Sequence, residues 1–383
     1  MDLKKPAILS ISLLTVMTNA SVAPILGLIS QSFPAAGQTL VTQVLTIPSL
    51  VMIVFSIISG QLVKIIPKKI VLAIGLSIYL AGAAFSAASD SIAKLIFFRA
   101  LTGVGGGLIV PLASSFITDF YIGKERAKMI GYSSFASYAG AAFAPLLAGW
   151  IAGEKWQNAF YIYFLAFGVL AFTMLFVPIK PAYQDQTAGL SPMKMNLPAL
   201  LMAFTGCAVY VIFYLMPSDV SFLIQKITGA NPTYAAALLA IEVIAASLAG
   251  VLFSQYTRKL NGRAFPLGFG LMAIGFLLVY AFSAFSLILV GMIIIGFGIG
   301  TLRPLIILRT SQVTPQGSMT SAFALVNSGF SLGQFISPFF YYAIASLFTI
   351  QDPSQNYLIA ASIMLAAGVL STVGFTLRGK RSL

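Results

Sequence analysis

Residues 103–111 read Gly-Val-Gly-Gly-Gly-Leu-Ile-Val-Pro, and residues 296–304 read Gly-Phe-Gly-Ile-Gly-Thr-Leu-Arg-Pro. The two stretches share three glycines and a proline at the same spacing, 193 residues apart. Each lies inside a long apolar segment, where small residues let helices approach closely and proline interrupts the backbone hydrogen bonds. The pair therefore indicates two related halves built from apolar helices.

The same offset aligns further glycines and prolines along the chain. The nine pairs are Pro24 with Pro217, Gly75 with Gly268, Gly82 with Gly275, Gly103 with Gly296, Gly105 with Gly298, Gly107 with Gly300, Pro111 with Pro304, Gly140 with Gly333, and Pro145 with Pro338. Roughly two such identities are expected by chance, so the sequence predicts an internal repeat. Because six spans return the chain to its starting side, we predict two parallel six-helix repeats.

The composition requires a lipid environment. Of 383 residues, 59% are apolar and only 8% are charged, and the mean hydropathy is +0.97. Soluble domains have about 25% charged residues. The apolar segments are long enough to cross about 30 Å of hydrocarbon as helices, and helices are required because lipid cannot satisfy backbone polar groups.

We predict an all-α integral membrane protein with twelve transmembrane helices. The predicted spans are 7–29, 40–62, 70–89, 92–118, 128–150 and 157–178, then 197–224, 233–256, 264–284, 287–312, 317–345 and 356–377. A polar stretch at 179–196, with Pro181 and Pro192, is predicted to be a cytoplasmic linker. It separates an N-terminal six-helix bundle at 1–178 from a C-terminal six-helix bundle at 197–383.

The basic residues set the predicted orientation. With the amino terminus inside, 16 of the 22 lysines and arginines fall in cytoplasmic segments, three fall in external loops, and the other three lie within spans. The positive-inside rule therefore places both termini in the cytoplasm. These short basic runs also explain the net charge of +13 without a nucleic-acid partner. The apolar run after Lys4 and Lys5 reaches Ile29 and more spans follow, so we interpret it as a retained helix, not a cleaved signal.

Three local patterns are informative. Residues 60–69, between the second and third spans, read Gly-Gln-Leu-Val-Lys-Ile-Ile-Pro-Lys-Lys. In the fourth span, Arg99 is followed by the glycines of residues 103–107. In the fifth span, glycines, alanines and a proline recur at fixed spacing: Gly131, Gly140, Ala144, Pro145, Ala148 and Gly149.

On these patterns the chain resembles the major facilitator superfamily over nearly its whole length, and within it the twelve-helix drug:proton antiporter branch. The fifth-span pattern is similar to the antiporter signature G-x8-G-x3-G-P-x2-G-G, with two glycines replaced by alanine. Lys64 stands where the family's G-x-L-x-D-R-x-G-R-K loop has aspartate, and Asp119 is placed to attract a lysine of this loop. The gating residues implied by the resemblance are Gly60, Lys64, Lys68, Lys69, Asp119, Arg126, Gly131, Gly140, Pro145 and Gly149. Ordinary helix packing is the alternative for the fifth-span pattern.

Charged side chains within the predicted spans are the candidates for coupling chemistry. An ionised group at a helix centre costs about 2.5 to 3.5 kcal/mol on insertion scales, so each one needs a reason. The chain has no histidine, so proton coupling would use the carboxylates Asp219 and Glu242. We expect Arg99 and Arg303 to be charge partners that favour the deprotonated acids. The alternatives are an interfacial position for Asp219 and a structural ion pair for Glu242.

Aromatic and polar residues are predicted to line the substrate cavity, which the resemblance places along the first, fourth, seventh and tenth helices. The candidates are Asn19, Gln43, Phe135, Tyr138, Tyr210, Phe213, Tyr214, Phe323, Asn327 and Phe330. Such a site suits amphipathic or cationic molecules, bound by apolar contact and cation–π attraction. For any single aromatic, packing against lipid is an equal alternative.

The resemblance implies a secondary active transporter of a bacterial inner or plasma membrane, exporting amphipathic or cationic drugs in exchange for protons. The alternative on the same fold is export or import of a sugar, an amino acid or a lipid-like metabolite. An enzyme or a passive channel is not expected, because no metal cluster, nucleophile–base pair or charged ring is evident. We expect a monomer in the lipid bilayer, with a small-molecule substrate, protons as the coupling ion and no cofactor.

Overall fold

The computed structural model describes residues 3–121, 123–179, 197–228, 232–260, 263–282, 284–314, 319–349, 352 and 354–379. These residues are overwhelmingly helical, and no strand occurs among them. The α-helices are α1 (Lys4–Ala20), α2 (Leu26–Ser32), α3 (Gln38–Ile65), α4 (Lys68–Ala87), α5 (Ile92–Phe120), α6 (Gly123–Ala152), α7 (Leu165–Phe176), α8 (Leu197–Phe213), α9 (Leu215–Thr228), α10 (Pro232–Leu260), α11 (Ala264–Ala281), α12 (Phe285–Val313), α13 (Met319–Leu347) and α14 (Gln355–Gly379).

Every predicted span coincides with one described helix or with two consecutive ones. Ten helical segments in the described part of the chain are long and apolar enough to cross a membrane, and the bent pair α1–α2 raises the number to eleven. The remaining predicted span is the 29-residue helix α13. It does not meet the same apolar criterion, since Asn327, Gln334 and several serines interrupt its apolar surface.

Three of the spans are not continuous α-helices. The first bends by 45° and passes through a 3-10 turn at Ala23–Ile25, which contains Pro24. The sixth begins as a 3-10 helix at Trp156–Phe164 before α7. The seventh is divided into α8 and α9 at Tyr214, three residues before Pro217. Proline has no N–H to donate, so such breaks leave carbonyl groups that need other donors.

The chain forms two compact units. One comprises Met1–Ser191 with Pro217–Ala237, and the other comprises Pro192–Met216 with Leu238–Leu383. Most of α9 and the start of α10 therefore group with the first unit, although the sequence assigns them to the second bundle. The predicted linker lies outside the described residues except for Ile179, and the predicted bundle boundaries stay a prediction.

The repeated glycines lie at equivalent helix crossings inside each unit. In the first unit, a methyl group added at Gly105 of α5 would lie 2.5 Å from the Tyr79 nitrogen of α4. In the second, a methyl group at Gly298 of α12 would lie 2.5 Å from a side-chain carbon of Met272 on α11. Tyr79 and Met272 are themselves 193 residues apart. The same backbone approach thus occurs twice, and glycine is what permits it.

Substituting Gly105 tests this close approach. We expect Gly105→Ala to destabilise the protein by about 1–3 kcal/mol, because α4 and α5 must move apart or distort. The matched control is Gly168→Ala on α7, where an added methyl group would meet no atom within 4 Å. Melting temperatures of the purified proteins in detergent provide the measurement. Equal melting temperatures for the two variants would show that the approach at Gly105 is not a tight constraint.

Candidate functional site

A fully buried arginine connects several helices of the first unit. The Arg99 side chain has 0% exposure and extends from α5 towards three neighbours. Its Nε donates to the Val44 carbonyl at 2.9 Å, and its terminal nitrogens donate to the Thr18 carbonyl at 2.6 Å and to the Tyr163 hydroxyl at 2.9 Å. The Tyr163 hydroxyl in turn donates to the Thr18 carbonyl at 2.7 Å.

The two acids in the spans have different surroundings. Asp219 on α9 is 6% exposed, and its carboxylate accepts a hydrogen bond of 2.7 Å from Nε2 of Gln38, the first residue of α3. Asp219 is therefore hydrogen-bonded to the first turn of α3. Glu242 is near the middle of its span in α10 and is 4% exposed. No ion pair or hydrogen bond to its carboxylate is found among the described residues.

A serine of α9 is inserted into the break of the first span. The Ser221 hydroxyl donates to the Pro24 carbonyl at 2.8 Å and accepts from the Gly27 N–H at 2.8 Å. Both backbone groups lie where the helix is interrupted, so one hydroxyl satisfies two polar groups in a buried position. Gly27 leaves room for this contact, since a methyl group added there would lie 3.0 Å from the Ser221 hydroxyl oxygen and 3.1 Å from Gln225.

Four predicted cavity residues form one aromatic cluster in the second unit, which consists of Tyr210, Phe213, Tyr214 and Phe330. The Tyr210 and Phe330 ring centroids are 4.6 Å apart, and all four side chains are 3–7% exposed. The exposed Arg303 places its guanidinium carbon 5.7 Å from the Phe330 ring centroid, within cation–π range. The cluster therefore combines apolar area with a neighbouring positive charge.

The loop between α3 and α4 makes polar contacts at one end of the first unit. Asp119, near the end of α5, forms an ion pair with Lys68 at 2.7 Å, so the expected attraction to a lysine of this loop is present. Lys69 donates to the Met174 carbonyl in the last turn of α7 at 2.7 Å. The side chains of Lys64 and Arg126 lie outside the described residues.

The fifth-span pattern brings α6 close to two neighbours in the first unit. A methyl group at Gly140 would lie 2.6 Å from the Leu13 carbonyl of α1, and one at Gly149 would lie 2.8 Å from the Ala236 side chain of α10. Pro145 lies between them inside α6. Gly131 lies outside the residues whose environment is described. At these two glycines the pattern therefore provides helix packing, whatever further role it has.

Comparison with known proteins identifies the family. The sequence profile described as Major Facilitator Superfamily matches residues 8–338 and 199–382. The chain belongs to the Major Facilitator Superfamily. It is a multi-pass helical membrane protein. The same fold occurs in a bacterial homologue of the human lysosomal transporter Spinster, solved in an inward-facing and occupied conformation. That structure has a TM-score of 0.75 and 17% identity, over 99% of this chain and 96% of the other.

Two curated members of the superfamily are similar in sequence. The multidrug transporter protein MdtP of Bacillus subtilis (strain 168) is 31% identical over 156 residues, which is 39% of this chain but only 28% of MdtP. The quinolone resistance protein NorA of Staphylococcus aureus (strain MSSA476) is 24% identical over 334 residues, covering 83% of this chain and 82% of NorA. The family and its structural neighbours are membrane transporters.

The remaining cavity candidates of this superfamily member are dispersed. Phe135 on α6 is 75% exposed, and the Tyr138 side chain is outside the described residues. Phe323 is half-buried, and the exposed Asn327 donates to the Phe323 carbonyl within α13 at 3.0 Å. In the first unit, Asn19 donates to Ser49 at 2.7 Å, and Gln43 is 6% exposed. At Gly60, one of the predicted gating residues and not a cavity candidate, an added side chain would meet no atom within 4 Å.

One expectation requires correction. Arg99 does not pair with a carboxylate in the described structure, because backbone carbonyls of α1 and α3 and the Tyr163 hydroxyl take its hydrogen bonds. Sequence reasoning also missed two contacts of the seventh span, that of Asp219 with Gln38 and that of Ser221 with the break of the first span. Polar residues beside predicted helix breaks were the available signal, since a break exposes backbone groups that need such partners.

Ser221 and Ser218 provide a matched pair on one helix. Both are 6% exposed, but the Ser218 hydroxyl has no hydrogen-bond partner in the described structure. We expect Ser221→Ala to lower stability by about 1–3 kcal/mol, because two buried backbone groups lose their partner. Ser218→Ala should change stability by less than about 0.5 kcal/mol. Thermal unfolding of both purified variants is the measurement, and an equal response would contradict the role of Ser221.

Proposed function

We propose that this chain is a secondary active exporter that uses the proton gradient to expel amphipathic or cationic small molecules by alternating access. The proposal extends to this chain what the names of MdtP and NorA state for those proteins, a multidrug transporter and a quinolone resistance protein. The observation that carries the coupling is a buried carboxylate, Glu242, within a membrane span and without an ion-pair partner in the described structure.

Glu242 fits a proton-binding role because of its depth. An ionised carboxylate at a helix centre costs about 2.5–3.5 kcal/mol on insertion scales, a cost that protonation removes. Gly296 of α12 packs directly against the Glu242 backbone carbonyl, so this acid lies at the crossing of α10 and α12. A change of charge at Glu242 would therefore act on a packed helix crossing. The proposed consequence is that protonation changes the relative stability of two arrangements of these helices.

Asp219 would respond to protons in another way. Its hydrogen bond with Gln38 links α9 to the start of α3. A charged acceptor makes a hydrogen bond roughly twice as strong as a neutral one, so protonation of Asp219 would weaken this link. Ser221 lies half a turn further along α9 and contacts the break of the first span. We propose that proton uptake at Asp219 loosens α9 from α2 and α3.

The aromatic cluster supports the choice of cargo. Flat or lipophilic molecules gain most from the large apolar area that aromatic side chains present. Tyr210 and Phe330 form the closest pair in the cluster. We propose that this region of α8 and α13 contributes to recognition of amphipathic cargo, with the Arg303 charge disfavouring cations that are not also lipophilic.

Transport in liposomes tests the coupling acids. With an imposed pH gradient and ethidium as probe, we expect wild-type protein to move the dye, and Asp219→Asn and Glu242→Gln to fall near the level of empty liposomes. The control is Asp90→Asn: Asp90 lies outside the spans and forms an exposed ion pair with Lys94. The Lys94 hydrogen bond holds the pKa of Asp90 below its ordinary value, so Asp90 stays ionised at neutral pH and takes no part in proton uptake.

The outcomes separate the parts of the proposal. Full pH-driven transport by Glu242→Gln or by Asp219→Asn, at unchanged protein level, rejects that acid as a coupling residue. Movement of sugars or amino acids but not of ethidium or quinolones rejects the drug-exporter assignment and supports the metabolite alternative. Transport that is indifferent to the pH gradient rejects proton coupling.

We further propose cytoplasmic termini, on the basis of the positive-inside distribution, together with a bacterial cell-membrane location and a monomeric state. The lone Cys207 simplifies the test of orientation. In a Cys207→Ser background, an impermeant maleimide should label Asp90→Cys in intact cells and Ile65→Cys only after permeabilisation. Both positions are largely exposed, with 70% and 78% exposure of the native residues. The reverse labelling pattern would invert the topology.

A further inference from the structure

The buried Arg99 contacts two carbonyl groups that lack a helical N–H donor, one in α3 and one at the end of α1. The first is Val44, four residues before Pro48 within the continuous helix α3. In an α-helix the N–H of residue i donates to the carbonyl of residue i−4, so Pro48 leaves the Val44 carbonyl without its helical donor. The Arg99 Nε occupies that vacancy at 2.9 Å.

The second carbonyl is that of Thr18, at the bend of the first span. The Ser21 N–H donates to the Met17 carbonyl, and the Val22 N–H donates to the Asn19 carbonyl. Neither N–H therefore donates to the Thr18 carbonyl, which lacks the donor that a continuing helix would supply. Arg99 donates to the Thr18 oxygen at 2.6 Å, and the Tyr163 hydroxyl donates to the same oxygen at 2.7 Å.

The second unit provides a natural comparison inside the same chain. Gly103 of α5 packs against the Pro48 carbonyl, and its repeat equivalent Gly296 of α12 packs against the Glu242 carbonyl. Glu242 therefore occupies the place of Pro48, and α10 has no proline beyond its first residue, Pro232. The residue 193 positions after Arg99 is Met292, which is also fully buried. Where the proline is absent, the arginine is absent as well.

We infer that Arg99 is a positioning residue of the transport cycle: its guanidinium replaces the backbone donors missing at Pro48 and at the end of α1, and so holds α1 and α3 against α5. The planar guanidinium suits this task, because it carries five N–H donors in a fixed arrangement. The positive charge of the guanidinium is stabilised by carbonyl oxygens and not by a carboxylate. The inference goes beyond the proposed function, since it applies to any cargo and any coupling ion.

Restoring the missing donor tests the inference. Arg99→Met uses the residue of the second half, and Pro48→Ala returns an N–H that can donate to the Val44 carbonyl. We expect Arg99→Met alone to lower the melting temperature of the full chain by about 5 °C or more. In the Pro48→Ala background, Arg99→Met should lower the melting temperature by only about half as much, because one of the two carbonyls has regained a backbone donor.

The matched background is Pro111→Ala in α5, which returns an N–H that can donate to the Gly107 carbonyl, a group that Arg99 does not contact. This background should leave the full effect of Arg99→Met in place. Recovery that is equal in the Pro48→Ala and Pro111→Ala backgrounds, or absent from both, overturns the inference.

Two further variants separate geometry from charge. Arg99→Lys keeps the charge but loses the planar guanidinium with its fixed N–H donors, so we expect its melting temperature to resemble that of Arg99→Met. A wild-type melting temperature for Arg99→Lys overturns the inference.

Tyr163→Phe is the milder variant if Arg99 variants fold poorly. It should speed amide hydrogen exchange in residues 18–22 by at least about fivefold while leaving α3 near Pro48 unchanged. No change at residues 18–22 argues against the arrangement.

The pH dependence of ethidium transport provides the remaining readout. A positioning residue that contacts no acid should reduce the rate and leave the position of the pH profile unchanged. A displaced profile in Arg99→Met would instead make Arg99 an electrostatic partner of a coupling acid. If no variant and no wild-type protein moves ethidium, the proposed function fails, while the melting-temperature comparison still decides the role of Arg99.

Discussion

The structure depends on one requirement of the lipid phase: each backbone N–H and C=O inside the membrane needs a partner within the protein. A continuous helix satisfies these groups with its own backbone hydrogen bonds. In this chain the first span is interrupted at Pro24, and Pro48 removes one backbone donor from the continuous helix of the second span. The partners are then supplied by side chains from other helices, Ser221 near Pro24 and Arg99 near Pro48. Polar residues in the spans are thus explained by the breaks before any role in transport is considered.

This requirement also explains why the duplicated halves differ. The close glycine crossings are kept in both, because two helix backbones cannot approach at Gly105 or at Gly298 if either carries a side chain. The polar residues are not kept. Arg99 corresponds to Met292, and Pro48 corresponds in packing to Glu242. One half thus contains a buried cation tied to carbonyls, whereas the other contains a buried acid with no ion-pair partner in the described structure, which leaves the two halves free to perform different tasks.

The sequence predicted the fold well and the site only in part. Helix existence, the repeat and the family follow from hydropathy and from glycine spacing, which are local properties of the chain. The partners of Arg99 depend on which distant carbonyls face it, and that is decided by tertiary packing. The sequence offered a usable clue, because a proline inside a span predicts a free carbonyl four residues earlier. Charge alone suggested an acid as the partner, whereas Val44 and Thr18 supply the acceptors. The contact between Asp219 and Gln38 likewise could not be derived from spacing.

The grouping of Pro217–Ala237 with the first unit has a practical consequence for anyone who divides this gene product. A break in the polar stretch before α8 looks harmless from the sequence. It would nevertheless produce an amino-terminal fragment whose first span lacks the Ser221 hydroxyl, so that the Pro24 carbonyl and the Gly27 amide would lose this hydrogen-bond partner. Complementation by two separately expressed pieces should therefore require both to be made together, because the leading piece is completed only by residues encoded in the trailing one.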